Sequence, residues 1–182
     1  MIAVDIIKKN LRMKKFIMKV FIKPTQENEA MQLCNIQKAA FFPLYEKYHD
    51  EGNPCLRGVE DITKKLESEY FRCFTVFLDD EIVGGIVYKC KGKTPFFEKL
   101  EMGQYYLQRV YVHPDHQCKK IAQTAIMMCE KELKDASHFI VDFPEDLEKN
   151  RRCYEKCGFI DTGKRLEIQS GLTLACLVKQ VD

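Results

Sequence analysis

Apolar residues recur along this chain with two periods, and the changes of period divide it into strands and helices. Alternating or β-rich apolar runs predict strands at 18–24, 71–78, 82–88, 106–112 and 138–143, one opening at Phe159, and a last one at 172–179. Other stretches carry apolar positions three and four residues apart, the spacing of one helix face. Thr25 reads as the cap of a helix running to about Tyr45, with Ala30, Leu33, Cys34 and Ala40 inward, and a shorter helix spans 59–66. A third places Ile121, Ala125 and Cys129 on one stripe and Ala122, Ile126 and Leu133 beside it, with Asp115 as its N-cap. In the fourth, Leu147, Asn150, Tyr154 and Cys157 share a face, and Gly158 ends the helix where a left-handed residue is wanted.

Turn chemistry fills the gaps. Asp79-Asp80-Glu81 joins two strands as a hairpin, and Gly84-Gly85 inside the second predicts a bulge or a close backbone approach. Residues 48–57 read as a loop, and 91–101, containing Pro95, as a polar connection. No repeat, low-complexity tract or linker interrupts the order, so residues 18–182 are expected to form one α/β (α+β) domain. Ahead of it, Lys8, Lys9, Arg12, Lys14 and Lys15 alternate with Ile6, Ile7, Leu11, Phe16 and Ile17. Residues 1–17 read as a membrane-surface helix, as a signal peptide lacking a proper apolar core, or, preferred, as an extension ahead of the first strand.

Composition narrows the function. A net charge of +2 gives no field that calls for nucleic acid. The nine cysteines are scattered without a paired spacing, and no secretory signal stands out, so a reduced cytoplasm is expected. His113-x-x-His116 flanks a proline in a turn and is a poor metal site, so no metal is expected. No apolar run is long enough to span a bilayer. Asp50, Glu51, Glu60 and Asp61 could meet a cationic amine or form a solvated acidic face.

Two segments carry chemistry. The first runs from a strand through His113-Pro114-Asp115 into a helix, a geometry that offers free N–H groups and the positive end of a dipole to a phosphate. Lys119 and Lys120, in that first turn, oppose the dipole unless an anion binds among them. The second segment puts an amide, Asn150, and a phenol, Tyr154, on a stripe that should pack inward, where each needs a partner.

Together these segments resemble the GNAT superfamily of N-acetyltransferases. Gln117-Cys118-Lys119-Lys120-Ile121-Ala122 matches its acetyl-coenzyme A motif, Gln/Arg-x-x-Gly-x-Gly/Ala, except that Lys120 stands where the central glycine belongs. Asn150, Tyr154, Lys156, Gly158 and Phe159 match the later pattern in full, and the resemblance covers about residues 19–179. It implies a central mixed, mostly antiparallel, splayed sheet flanked by helices, with a strand leaving its neighbour just after Val110. The pantetheine arm would pair with the main chain at Val110, Tyr111 and Val112. Gln117, Cys118, Lys119, Lys120, Ile121 and Ala122 would hold the pyrophosphate; if Lys120 stays in the right-handed helical region, its side chain points away and the amides still reach the phosphates. Asn150 would bind the pantetheine, and Tyr154 would face the thioester sulfur and protonate the leaving thiolate. An N–H near Val110 would stabilise the oxyanion. Many relatives carry a glutamate where Tyr106 stands, so the base is open, with Glu101 or Asp142 acting through water as candidates.

The expected activity is transfer of an acetyl group from acetyl-coenzyme A to a primary amine of a small molecule or peptide. Neither nucleic acid nor a membrane is expected as partner, and assembly as a homodimer is left open. A non-catalytic acyl-coenzyme A binding module and an unrelated nucleotide-binding α/β protein are the alternatives.

Overall fold

The computed structural model describes residues 19–181, so the extension at 1–17 lies outside the described residues. Seven strands form one sheet in the order β1-β2-β3-β4-β5-β7-β6. The strands are β1 (Val20–Pro24), β2 (Phe71–Leu78), β3 (Glu81–Lys89), β4 (Gln104–Val112), β5 (His138–Pro144), β6 (Ile160–Gln169) and β7 (Leu172–Gln180). Every neighbouring pair is antiparallel except β4 and β5. A parallel pair needs a crossover, and helix α3 (Ile121–Glu132) supplies it. The other helices are α1 (Ala30–Tyr48), α2 (Val59–Glu67) and α4 (Glu148–Lys156).

The central strands of the sheet are buried on both faces. One core joins it to α3 and α4 around Ile86, Tyr88, Ile126, Phe139 and Leu177, all under 2% exposed. Leu33, Cys34 and Ile36 of α1 and Ile62 of α2 meet Tyr111 on the opposite face. Fully burying one such side chain contributes about 1.5–3 kcal/mol, so the two clusters hold the sheet between its helices. Further along that second face, a strap at 90–103 lays Phe96, Phe97 and Leu100 against Tyr106, Ile140 and Cys176. The strap was expected to be a polar connection. Its apolar residues are spent covering this patch instead.

Other differences are local. Thr25 does not cap α1: its hydroxyl accepts from Thr75, and Gln26 and Glu29 form the capping box on a 3-10 turn at Glu27–Glu29. The helix then runs past Tyr45 to Tyr48, where left-handed His49 ends it. The 48–57 loop contains a 3-10 turn, Pro54–Leu56, capped by the Asn53 side chain. Both readings of Gly84-Gly85 hold. Val76 faces Gly84 and Phe77 faces Ile82, leaving Val83 as the extra residue of a bulge. A Cβ on Gly84 would lie 2.2 Å from the Tyr111 carbonyl oxygen. The strand after Phe159 is an exposed edge rather than an apolar one.

Candidate active site

β4 and β5 pair only from Gln104–His138 to Leu107–Val141. Beyond that, β4 stays with β3 as far as Val112, and β5 stays with β7 as far as Pro144. A wedge therefore opens between them after Leu107, earlier than the expected point after Val110. The cause is a bulge. Val87 faces Arg109 and Tyr88 faces Leu107, so Gln108 is an extra residue that bends β4 away from β5. The Gln108 side-chain oxygen is buried with no partner.

The bulge also resets which way β4 side chains point. Tyr105 and Leu107 join the α3 core, and so do Val110 and Val112. Tyr111 goes to the α1 face, where Arg109 binds Gln37 and Asp61. Main-chain groups follow the same parity. His113 N–H donates to the Val83 carbonyl, so the alternate residues Val110 and Val112 turn theirs toward the wedge. The Val112 carbonyl is taken, because Gln117 Nε2 donates to it at 2.9 Å. Tyr111 brings no side chain to the wedge.

From Val112 the chain makes a 3-10 turn, Pro114–His116, capped by His113 Nδ1. Asp115 sits inside that turn and does not cap α3. The N-cap of α3 is Lys120, whose side chain makes no cap bond, so the first helical amides at Ile121 and Ala122 have no helix partner. Lys120 is not right-handed: its φ is 63°, and Cys118 has φ 62°. The chain must reverse sharply between the two helical turns, and that requires the conformation glycine adopts without strain. Two non-glycine residues hold it here at about 1–2 kcal/mol each. Lys119 Nζ binds the Asp115 carbonyl, and Gln117 through Lys120 are all exposed.

The far wall of the wedge is α4. Gly158, with φ 92°, lets Phe159 N–H reach the Tyr154 carbonyl while Gly158 N–H bonds Glu155, a paired cap that fixes the last turn. Tyr154 is 6% exposed and its ring lies between Phe143 at 5.3 Å and Phe159 at 6.0 Å. Burial pushes its phenol well above the ordinary range, with the charges of Cys153 and Asp142 adding to the push. Asn150, one turn earlier on the same face, is half-buried.

Asp142 lies on β5 just past the last β4–β5 pair. Its Oδ2 accepts a hydrogen bond from the Tyr106 hydroxyl at 2.8 Å. Burial pushes its pKa up to about 6, and the bond from Tyr106 partly opposes that rise. Among the described residues, no cation contributes to the balance. Glu101 lies exposed in the strap, outside this cluster. Asp61 is not free to greet an amine, because Lys65 and Arg109 both bind it. Sequence reasoning reached Asp142 only as one candidate of two, and it missed its bond to Tyr106 and the bulge at Gln108. The available signal was an aspartate closing the apolar run Phe139-Ile140-Val141. Among the described residues, no group of three His, Cys, Asp or Glu could hold a metal, and no helix is long and apolar enough to cross a membrane.

This geometry can be set beside known proteins. The acetyltransferase (GNAT) family model matches residues 31–159. The ribosomal-protein-alanine N-acetyltransferase of Brucella melitensis superposes with a TM-score of 0.70 at 17% identity, covering 88% of this chain and 99% of that one. The ribosomal-protein-S18-alanine N-acetyltransferase of Escherichia coli gives 0.68 at 11%, covering 90% and 95%. The PaiA N-acetyltransferase of Thermoplasma acidophilum, solved with coenzyme A, gives 0.65 at 17%, covering 90% and 100%. No curated protein matches the sequence at a significant level. With the family model matching residues 31–159, most of the chain, the protein belongs to the acetyltransferase (GNAT) family of acyltransferases.

Proposed function

We propose that the protein transfers an acetyl group from acetyl-coenzyme A to a primary amine of a small molecule or peptide, with Asp142 and Tyr154 as its acid–base pair. The observation that carries this reading is the wedge. Two strands stop pairing after Leu107 and Val141, and a half-buried carboxylate and a buried phenol stand at the opening. Unpaired main chain at Val110 suits an extended arm that adds to the sheet. The uncapped start of α3, with left-handed residues at 118 and 120 turning neighbouring amides inward, suits a pyrophosphate. Gln117, Cys118, Lys119, Lys120, Ile121 and Ala122 would surround it, and Asn150 would hold the arm.

Bound there, acetyl-coenzyme A would supply an acetyl group activated as a thioester. Asp142 takes a proton from the amine nitrogen as the C–N bond forms. Tyr154 gives one to the sulfur as the C–S bond breaks and its electron pair leaves with sulfur. Water then carries the proton from Asp142 back to Tyr154, so both residues return to their starting state. A carboxylate titrating at about 6 is ionised at neutral pH yet basic enough to accept that proton. The poised carboxylate favours this reading over a binding-only module. All nine cysteines are free, which suits a reducing cytoplasm.

The test is thiol release from acetyl-coenzyme A over a panel of primary amines. Tyr154→Phe should lower kcat about 10²-fold, the usual scale for one general acid, while acetyl-coenzyme A affinity changes little. An unchanged kcat at every pH would remove Tyr154 from the chemistry.

A further inference from the structure

Tyr106 is 6% exposed and lies in an apolar patch. Leu100, Phe96 and Phe97 from the strap, Ile140 from β5, and Cys176 and Val178 from β7 surround it. Burying a hydroxyl among such groups costs several kcal/mol unless it finds a partner. A phenylalanine would satisfy packing alone. The hydroxyl instead spans the last paired rung of β4 and β5, donating to the Asp142 carboxylate at 2.8 Å.

We infer that Tyr106 is a positioning residue for Asp142, and that the strap at 90–103 exists in part to hold it there. The inference rests on the reading of Asp142 as the base. Its logic is geometric. Asp142 is the first β5 residue beyond the rungs shared with β4, so the ladder no longer ties its strand to β4 at that level. The Tyr106 hydroxyl bridges the gap and binds one carboxylate oxygen. The strap closes the patch above Tyr106; Leu100 N–H on the Gly92 carbonyl and Phe97 N–H on the Thr94 hydroxyl fold it on itself, and Cys90 N–H on the Tyr70 carbonyl and Ser137 N–H on the Gly103 carbonyl anchor its ends.

The surroundings of Asp142 leave few other groups to set its titration. Tyr106 faces it from β4, Tyr154 from α4 and Cys176 from β7, whose thiol is pushed up to about 11 mainly by burial. The strap presents apolar side chains, and Lys164 of β6 lies over the outer Phe97 ring at 4.7 Å rather than on the carboxylate. A donor to the ionised form favours it, so removing the Tyr106 hydroxyl should raise the Asp142 pKa. The chemistry would then lose the aim of the base and part of its ionisation at neutral pH.

The experiment compares wild type with Tyr106→Phe, which deletes one oxygen from an apolar pocket and leaves its packing in place. Side-chain carboxyl NMR on the ligand-free protein, with Asp142→Asn identifying the signal, reads the titration directly. We expect it to move up by about one pH unit in Tyr106→Phe. The pH profile of kcat/KM for thiol release should follow, with the acidic limb displaced upward and the rate at pH 6.5 lowered about threefold by the lost ionisation alone. An unmoved carboxyl titration, or a lower rate with an unmoved limb, would overturn the inference by leaving Tyr106 a packing residue. If the titration moves but wild type releases no thiol with any amine, the acetyltransferase reading has failed and the inference falls with it.

Discussion

Two half-buried carboxylates sit on the same side of the sheet and have opposite surroundings. Asp61 of α2 is held by Lys65 one turn along and by Arg109 of β4, and Gln37 of α1 joins through Arg109. Burial pushes its pKa up, but the bonds from Lys65 and Arg109 outweigh that and leave it lowered. Asp142 of β5 has a phenol and, among the described residues, no cation, and burial leaves it raised to about 6. The first arrangement ties three elements together and holds its charge fixed. The second keeps a charge that is ready to accept a proton at neutral pH. Neutralising the first should harm the fold, and neutralising the second should harm only the chemistry.

The largest expected effect is at Asp61. Asp61→Ala leaves Lys65 and Arg109, about 10% and 9% exposed, without their partner. It should destabilise the protein by about 3 kcal/mol in denaturant unfolding at pH 7, the range for a broken buried pair. Asp142→Asn should do the reverse. A carboxyl whose folded pKa is raised stabilises the fold below its unfolded pKa, near 4, and that contribution is lost as pH rises through about 6. Above pH 7 the charged form is disfavoured in the fold by about 2–3 kcal/mol at most, from roughly two pKa units. Asp142→Asn should therefore raise the melting temperature at pH 8 and leave it near wild type at pH 4. Loss of stability at both pH values would put Asp142 in the same class as Asp61.

The contrast was only partly legible in the sequence. The periods of apolar residues gave the strands and helices because burial on one face leaves a repeat that a reader can count. The pattern from Asn150 to Phe159 was legible for a related reason: the Gly158 cap and the Tyr154 face are local features of one helix. The bulge at Gln108 was not, since nothing in Leu107-Gln108-Arg109 distinguishes an extra residue from an ordinary one. That single insertion moved the wedge and sent Arg109 toward Asp61 instead of into the other core. The Tyr106–Asp142 and Arg109–Asp61 bonds link residues 36 and 48 apart, and which acid would receive which partner depended on the register of the sheet.

A smaller effect is expected at the turn before α3. Lys120→Gly relieves a left-handed lysine and should stabilise the fold by about 1 kcal/mol, read as a higher melting temperature. On the proposed placing of the pyrophosphate, its loss of charge should change acetyl-coenzyme A affinity by no more than a few-fold, because an exposed lysine is well screened. A lower melting temperature would show that the Lys120 side chain makes a contact worth more than the strain.

The most direct test of the division between the two carboxylates is kcat/KM for thiol release from pH 5 to 8 in wild type and Asp142→Asn. Wild type should lose activity below an apparent pKa of about 6. Asp142→Asn should be at least about 10²-fold slower at pH 7, the scale for loss of one general base, with a flat profile across that limb. An Asp142→Asn variant that keeps the wild-type rate and the same limb would contradict the account.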